Sequence, residues 1–219
     1  MKQIGFTEQR VVGAGRTDSG VSAERQIVTV VGSTSQSPDQ LRKSLNAVLP
    51  SEIRVLWSRR APDWFDARRS VASRIYRYKI SDIETPHSAP TLPTRTAVRV
   101  DTASWRKQLR SFIGVRDFAD VALKVSRLKQ STIRHVIATS CWREGREVVV
   151  EIEANAFLTR MVRMIVGGLI RLTDKNCERE TRANNAPLSR APNRWPAPSQ
   201  GLTLYGVTTP GILSRRLPH

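Results

Sequence analysis

The sequence predicts an α+β fold, a largely antiparallel sheet with helices on one face. Two observations carry this. Segments rich in β-branched residues recur from the N-terminus to Gly201–Val207, and two of them, Thr132–Trp142 and Glu147–Glu153, are joined by the hairpin signal Arg143-Glu-Gly-Arg146. The order of elements is strands, helix, strands, helix, hairpin, helix, strand, with no detectable internal repeat.

Residues 8–13 and 26–32 read as strands flanking a glycine-bracketed loop. Ser37-Pro-Asp-Gln opens a helix, with Ser37 as cap and Pro38 in the first turn. Leu41, Leu45, Val48 and Leu49 give it one apolar face, and Pro50 ends it. Ile53–Trp57 alternates as a strand, and Ala61–Ser70 is a loop carrying Phe65 and Arg68-Arg69. Ala72–Ile80 is a strand with Ile75, Arg77 and Lys79 on one face and Arg74, Tyr76, Tyr78 and Ile80 on the other. Two tyrosines among arginines suit either base stacking or core packing. Residues 82–96 read as a long loop, Asp101-Thr102 opens a helix through Phe112 ended by Gly114, and Asp117-Phe118 follows in a loop. The most apolar helix runs from Asn155, its expected cap, to about Leu172. Met161, Ile165 and Leu169 line one face, with Phe157 extending it, and Gly167-Gly168 admits a neighbouring backbone. Arg160 and Arg163 lie one turn apart on it, and a charge among so many apolar side chains needs a carboxylate from elsewhere. Residues 173–200 read as a loose connection.

The charge narrows the function. The 219 residues hold 36 basic and 19 acidic side chains, for a formal net charge of +17. Only seven of the basic residues are lysines. Such an excess favours a polyanion, and arginine favours forked phosphate contacts and stacking on bases. Two cysteines and three scattered histidines have no metal-ligand spacing, so no metal site is expected. No apolar run is long enough to span a membrane, and MKQIGFTEQR lacks the apolar core of a signal peptide. The expectation is an intracellular protein, cytoplasmic or mitochondrial, not secreted and without a membrane partner.

The candidate site is the loop Gly13-Ala-Gly-Arg-Thr-Asp-Ser-Gly-Val-Ser-Ala23. It sets one carboxylate, Asp18, between Gly15 and Gly20, with Arg16 two residues upstream. A plain Asp-Ser-Gly turn would have the same composition. Four segments together resemble the TruA-type tRNA pseudouridine synthases: Ala14-Gly-Arg-Thr-Asp-Ser-Gly-Val21; Phe65-Asp-Ala-Arg68 leading into Ser73-Arg-Ile-Tyr-Arg-Tyr78; Asn155-Ala-Phe-Leu-Thr-Arg-Met-Val-Arg163 with Ile165-Val-Gly167; and Gly201-Leu-Thr-Leu-Tyr205. Asp117-Phe118 and Arg134 fit weaker positions of that pattern.

The resemblance implies a pseudouridine synthase fold of two ferredoxin-like halves. Residues 1–96 would carry the catalytic loop and 97–219 the arginine helix. It also implies that the first half lacks the N-terminal strand and helix with which such chains begin. The implied activity is cofactor-free isomerisation of uridine to pseudouridine in the anticodon stem-loop of tRNA, at positions thirty-eight to forty. By motif position Asp18 resembles the catalytic aspartate, Tyr76 the aromatic that stacks on the flipped uracil, and Arg163 the arginine paired with the aspartate. Arg16 resembles the residue that enters the RNA stack, and Arg68, Arg74, Arg160 and Asn155 would be further RNA contacts. Asp18 would attack the sugar or the ring, or act as a base to give a glycal. A homodimer is implied. The shortened first half and the arginine excess also suit a non-catalytic RNA-binding or ribosome-assembly subunit, with ribosomal RNA or a ribonucleoprotein as partner. Arg69 and the polar stretch 173–200 depart from the family pattern.

Overall fold

The computed structural model describes residues 5, 7–81, 94–95, 99–121, 131–173 and 195–209. These fall into two compact units, one from residues up to Gly15 and Ile27–Val71, the other from Arg16–Gln26 and Ala72 onward. The architecture is mixed α and β, with a mostly antiparallel sheet and three α-helices among the described residues.

In the first unit β1 (Thr7–Gly13) pairs antiparallel with β3 (Val28–Ser33). The helix α1 (Pro38–Val48) begins as its sequence predicts. Ser37 Oγ accepts from Gln40 N, and the Gln40 side chain accepts from Ser37 N, closing a capping box. Ile53–Trp57 does not form the expected strand. Asn46 supplies the pairing instead. Its amide donates to Val55 O at 2.9 Å and accepts from Val55 N at 2.7 Å, so one side chain satisfies the groups that a ladder would use.

The second unit holds a seven-stranded sheet in the order β2 (Ser22–Ala23), β9 (Leu202–Thr208), β4 (Ser73–Ser81), β8 (Glu147–Ala154), β7 (Ile133–Glu144), β6 (Gly114–Asp117), with β5 (Thr94–Arg95) beside β4. Its pairs are antiparallel except β2 with β9 and β5 with β4. The alternation read in β4 holds: Tyr76, Tyr78 and Ile80 are buried, whereas Arg77 and Lys79 are more exposed. The opposite register positions of β8, Val148, Val150 and Ile152, join them in the core, covered by α2 (Thr102–Arg110) and α3 (Met161–Thr173). On the other face Arg77 bonds Glu151 at 2.7 Å and lies 3.3 Å over the Tyr205 ring.

Two boundaries differ from the sequence expectation. Gly114–Asp117, read as a helix stop and a loop, is strand β6 on the edge of β7. The apolar helix starts at Met161, so Asn155 does not cap it. Asn155 is held instead at the open end of the β7–β8 hairpin. Its N–H donates to His135 O at 3.0 Å, and its Oδ1 accepts from His135 N at 3.0 Å. The expected loop at 82–96 lies outside the described residues except for β5. Of the connection 173–200, residues 174–194 lie outside them too.

Candidate active site

The second unit contains the loop that follows Gly15. Its backbone turns at Asp18, whose carbonyl accepts from Val21 N at 3.1 Å, and Gly20 takes a φ of 81°. This φ favours glycine, and a Cβ there would stand 2.6 Å from Ser199 Oγ, which would have to turn away. Beyond the turn, Ser22 and Ala23 pair with Thr203 and Leu204, and Glu24 N donates to Leu204 O at 3.0 Å. The loop is thereby fastened to the edge of β9.

The carboxylate so placed is the partner that the apolar helix required. Arg163 Nη1 donates to Asp18 Oδ2 at 3.1 Å, and Arg160 Nε stands 4.0 Å from the same oxygen. The Arg163 side chain is 13% exposed, Asp18 34% and Arg160 43%. The carboxylate therefore lies in a partly closed site with one edge open. Arg160 has a φ of 63°, the left-handed region, and its carbonyl accepts the first helical bond from Met164 N. Among the described non-glycine residues it alone adopts such a conformation. Backbone outliers of this kind concentrate at active sites and ligand clamps.

A strap at residues 195–201 orients the arginine. Arg163 Nε donates to Ala197 O at 2.7 Å, and Ala197 N donates back to Arg163 O at 2.9 Å. Any Cβ at Gly167 would collide with the Trp195 carbonyl, so the glycine gives the strap its close approach to α3, as the Gly167-Gly168 pair suggests. Tyr78 OH donates to Pro198 O at 2.8 Å, and the Tyr78 ring lies against Gly201.

Tyr76 is buried on β4 and meets Phe157 edge to face at 5.0 Å. Burial pushes its phenol above the ordinary tyrosine range. Arg74 opposes this shift and the charge of Asp18 reinforces it. Arg74 is itself buried and donates to Asn155 O at 2.6 Å.

Asp18, Arg163, Arg160, Tyr76, Arg74 and Asn155 thus all lie in the second unit. Arg16 opens the loop and is exposed; Arg68 is exposed in the first unit. Sequence reasoning missed Ala197, Pro198 and Ser199, whose contribution is backbone carbonyls and one hydroxyl. The prolines of Trp195-Pro-Ala-Pro198 were the available signal, since they favour an extended strap. No group of three His, Cys, Asp or Glu able to hold a metal occurs among the described residues.

Comparison with known proteins gives a consistent result. Residues 109–210 match the family model described as tRNA pseudouridine synthase. A tRNA pseudouridine synthase A from Roseiflexus sp. (strain RS-1) is 35% identical over 216 residues, 95% of this chain and 78% of its own length. The protein of that name from Chlorobaculum tepidum is 36% identical over 200 residues, covering 89% and 78%, and that from Methylococcus capsulatus 32% over 221 residues, covering 96% and 78%. By these relatives, the chain belongs to the tRNA pseudouridine synthase family of the A type.

Proposed function

We propose that this chain isomerises uridine to pseudouridine in the anticodon stem-loop of tRNA, at positions thirty-eight to forty, with Asp18 as the catalytic carboxylate and no cofactor. The ion pair of Asp18 with Arg163 is the observation that carries this, because it places an anchored anion in a partly closed site. The reaction breaks the bond between ribose and uracil N1, turns the ring, and joins ribose to C5, returning the C5 proton to N1. Asp18 attacks, or takes a proton, at the sugar or ring. Arg163 holds the carboxylate in place, and Tyr76 faces the flipped base. Extrusion of the base costs a few kcal/mol of unstacking, which insertion of Arg16 and stacking on Tyr76 offset. Arg68 and Arg160 contact phosphates, while Arg74 and Asn155 act on RNA through the frame beneath Tyr76. The same reading keeps two ferredoxin-like halves, residues 1–96 bringing Asp18 and 97–219 bringing Arg163, and a homodimer as the working form in the cytoplasm or a mitochondrion.

The test is chemical mapping of pseudouridine in unmodified tRNA after incubation with wild type and with Asp18→Ala. Product at the anticodon arm from wild type alone is expected. The loss on substitution should be at least about a thousandfold, with tRNA affinity within about twofold. Absence of product from folded wild type would sink the proposal. A cellular phenotype indifferent to Asp18 would assign the chain instead to non-catalytic assembly of a ribonucleoprotein.

A further inference from the structure

The first unit carries a concavity of about 260 Å³. Val12, Thr29 and Val31 of the β1–β3 ribbon floor it, and Trp64 and Phe65 wall it. Arg10 and Arg69, with Asp63 and Asp66, form its rim. The two aromatics differ in kind. Phe65 is 9% exposed and belongs to the core, whereas Trp64 is 67% exposed, unusual for so large an apolar ring. The rings meet at 64° with centroids 6.3 Å apart, and the exposure of Trp64 leaves much of the indole surface open.

The turn behind this wall is stiff. Asp66 Oδ1 accepts from Arg68 N at 2.9 Å and Arg69 N at 3.1 Å, Asp66 N donates to Ser70 Oγ, and Ala67 N donates to Thr29 Oγ1 at 2.9 Å. Asp66 also pairs with Arg10 at 3.0 Å, so its charge is already neutralised locally. What the rim offers a ligand is the exposed guanidinium of Arg69, the open edge of Arg10, and one exposed carboxylate, Asp63. The volume lies below the roughly 300–1,000 Å³ of sites for drug-sized molecules, and suits one planar heterocycle. An open indole flanked by guanidiniums, on a chain of net charge +17, has the composition of a single-stranded nucleic-acid platform.

We propose that this concavity takes one unpaired nucleobase of an RNA segment, stacked on Trp64, with the adjoining phosphate on Arg69 and Arg10. Asp63 accepts from a ring or exocyclic N–H of the base. This contact lies outside the Asp18 site and does not depend on the isomerisation.

The test uses the full chain and two fluorescein-labelled probes, a uridylate heptamer and an abasic ribose-phosphate strand of equal length, read by anisotropy at two salt concentrations. Trp64→Ala is expected to weaken the heptamer about tenfold and leave the abasic strand unchanged, and Trp64→Phe to restore most of the loss. Arg69→Ala should weaken both probes and reduce the salt slope by about one contact. Both probes are read as equilibrium binding without turnover, which separates this result from the fate of the catalytic proposal. Equal heptamer affinity for wild type and Trp64→Ala would overturn the proposal. So would an equal loss on the abasic strand, or a hydrophobic dye bound at Trp64 that RNA does not displace, the mark of a protein-docking face.

Discussion

Arg163 Nη1 stands 3.1 Å from Asp18 Oδ2 across 145 residues of sequence, and the same guanidinium spends its Nε on Ala197 O. One planar fork thus serves two partners. Lysine, a single point charge on a flexible stem, cannot reproduce that. Arg163→Met is expected to cost about 1–3 kcal/mol, less than a fully buried pair because Asp18 is partly solvated. Thermal denaturation should show this as a fall in Tm of about 3–8 °C. Arg163→Lys should fall between the two. In a double-mutant cycle, Asp18→Asn combined with Arg163→Met should cost less than the separate losses added together, and strict additivity would deny the coupling.

Arg160 trades backbone comfort for position. Its φ of 63° is disfavoured for any residue with a Cβ, by about 1–2 kcal/mol. Arg160→Gly should therefore leave stability unchanged or raise it by up to about 1 kcal/mol, after allowing for the freer unfolded chain. Turnover of tRNA should drop roughly tenfold, through loss of the second cation 4.0 Å from Asp18. Arg160→Lys should keep wild-type stability and most of the turnover. Urea melts and single-turnover rates check both halves, and a glycine variant that is both less stable and fully active would contradict them.

Two glycines make a controlled contrast. Gly167 faces the Trp195 carbonyl, whereas a Cβ at Gly206 would meet only the Ile75 side chain, its Cδ1 at 3.5 Å and Cβ at 3.8 Å, ordinary contacts. Gly167→Ala should destabilise by about 1–3 kcal/mol and impair turnover, because the strap must shift and Arg163 with it. Gly206→Ala should be within about 0.5 kcal/mol of wild type. Chemical denaturation of both variants is the measurement.

Cys141 supplies a pH signature. It is buried on β7, and burial raises its thiol from 9.0 to about 11, with Arg106 and Arg143 opposing. The folded state therefore retains a proton that the unfolded chain loses sooner. This stabilisation is complete below pH 9 and declines as pH climbs through the folded value, by roughly 3 kcal/mol in all. Cys141→Ala should flatten that alkaline limb in melts taken between pH 8 and 11. At pH 8 the native thiol should react with a maleimide far more slowly than in urea.

Side-chain requirements made the ion pair of the candidate site legible in sequence. An arginine on an apolar helix demanded a carboxylate, and the alternation in Ser73–Ser81 put Tyr76 on one face with Tyr78 and Ile80, which the fold buries. Requirements met by backbone groups left no such trace. Nothing in Ala197 or Ser199 advertises that the first bonds Arg163 and the second packs on Gly20. Periodicity misplaced Ile53–Trp57 because extended residues can be satisfied by a single amide, here Asn46, as well as by a ladder. It also started the apolar helix too early, since Asn155 serves equally well as a clamp on His135.

The strap at 195–201 touches Arg163 through Ala197, the loop of Asp18 through Ser199 against Gly20, and the core through Tyr78. It works as a clasp on both ends of the ion pair at once. Opening it would unseat the carboxylate and its counter-ion in one event. The amides of Ala197, Val21 and Met164 should then exchange with solvent at a common rate, and a ligand that tightens any one of them should slow all three.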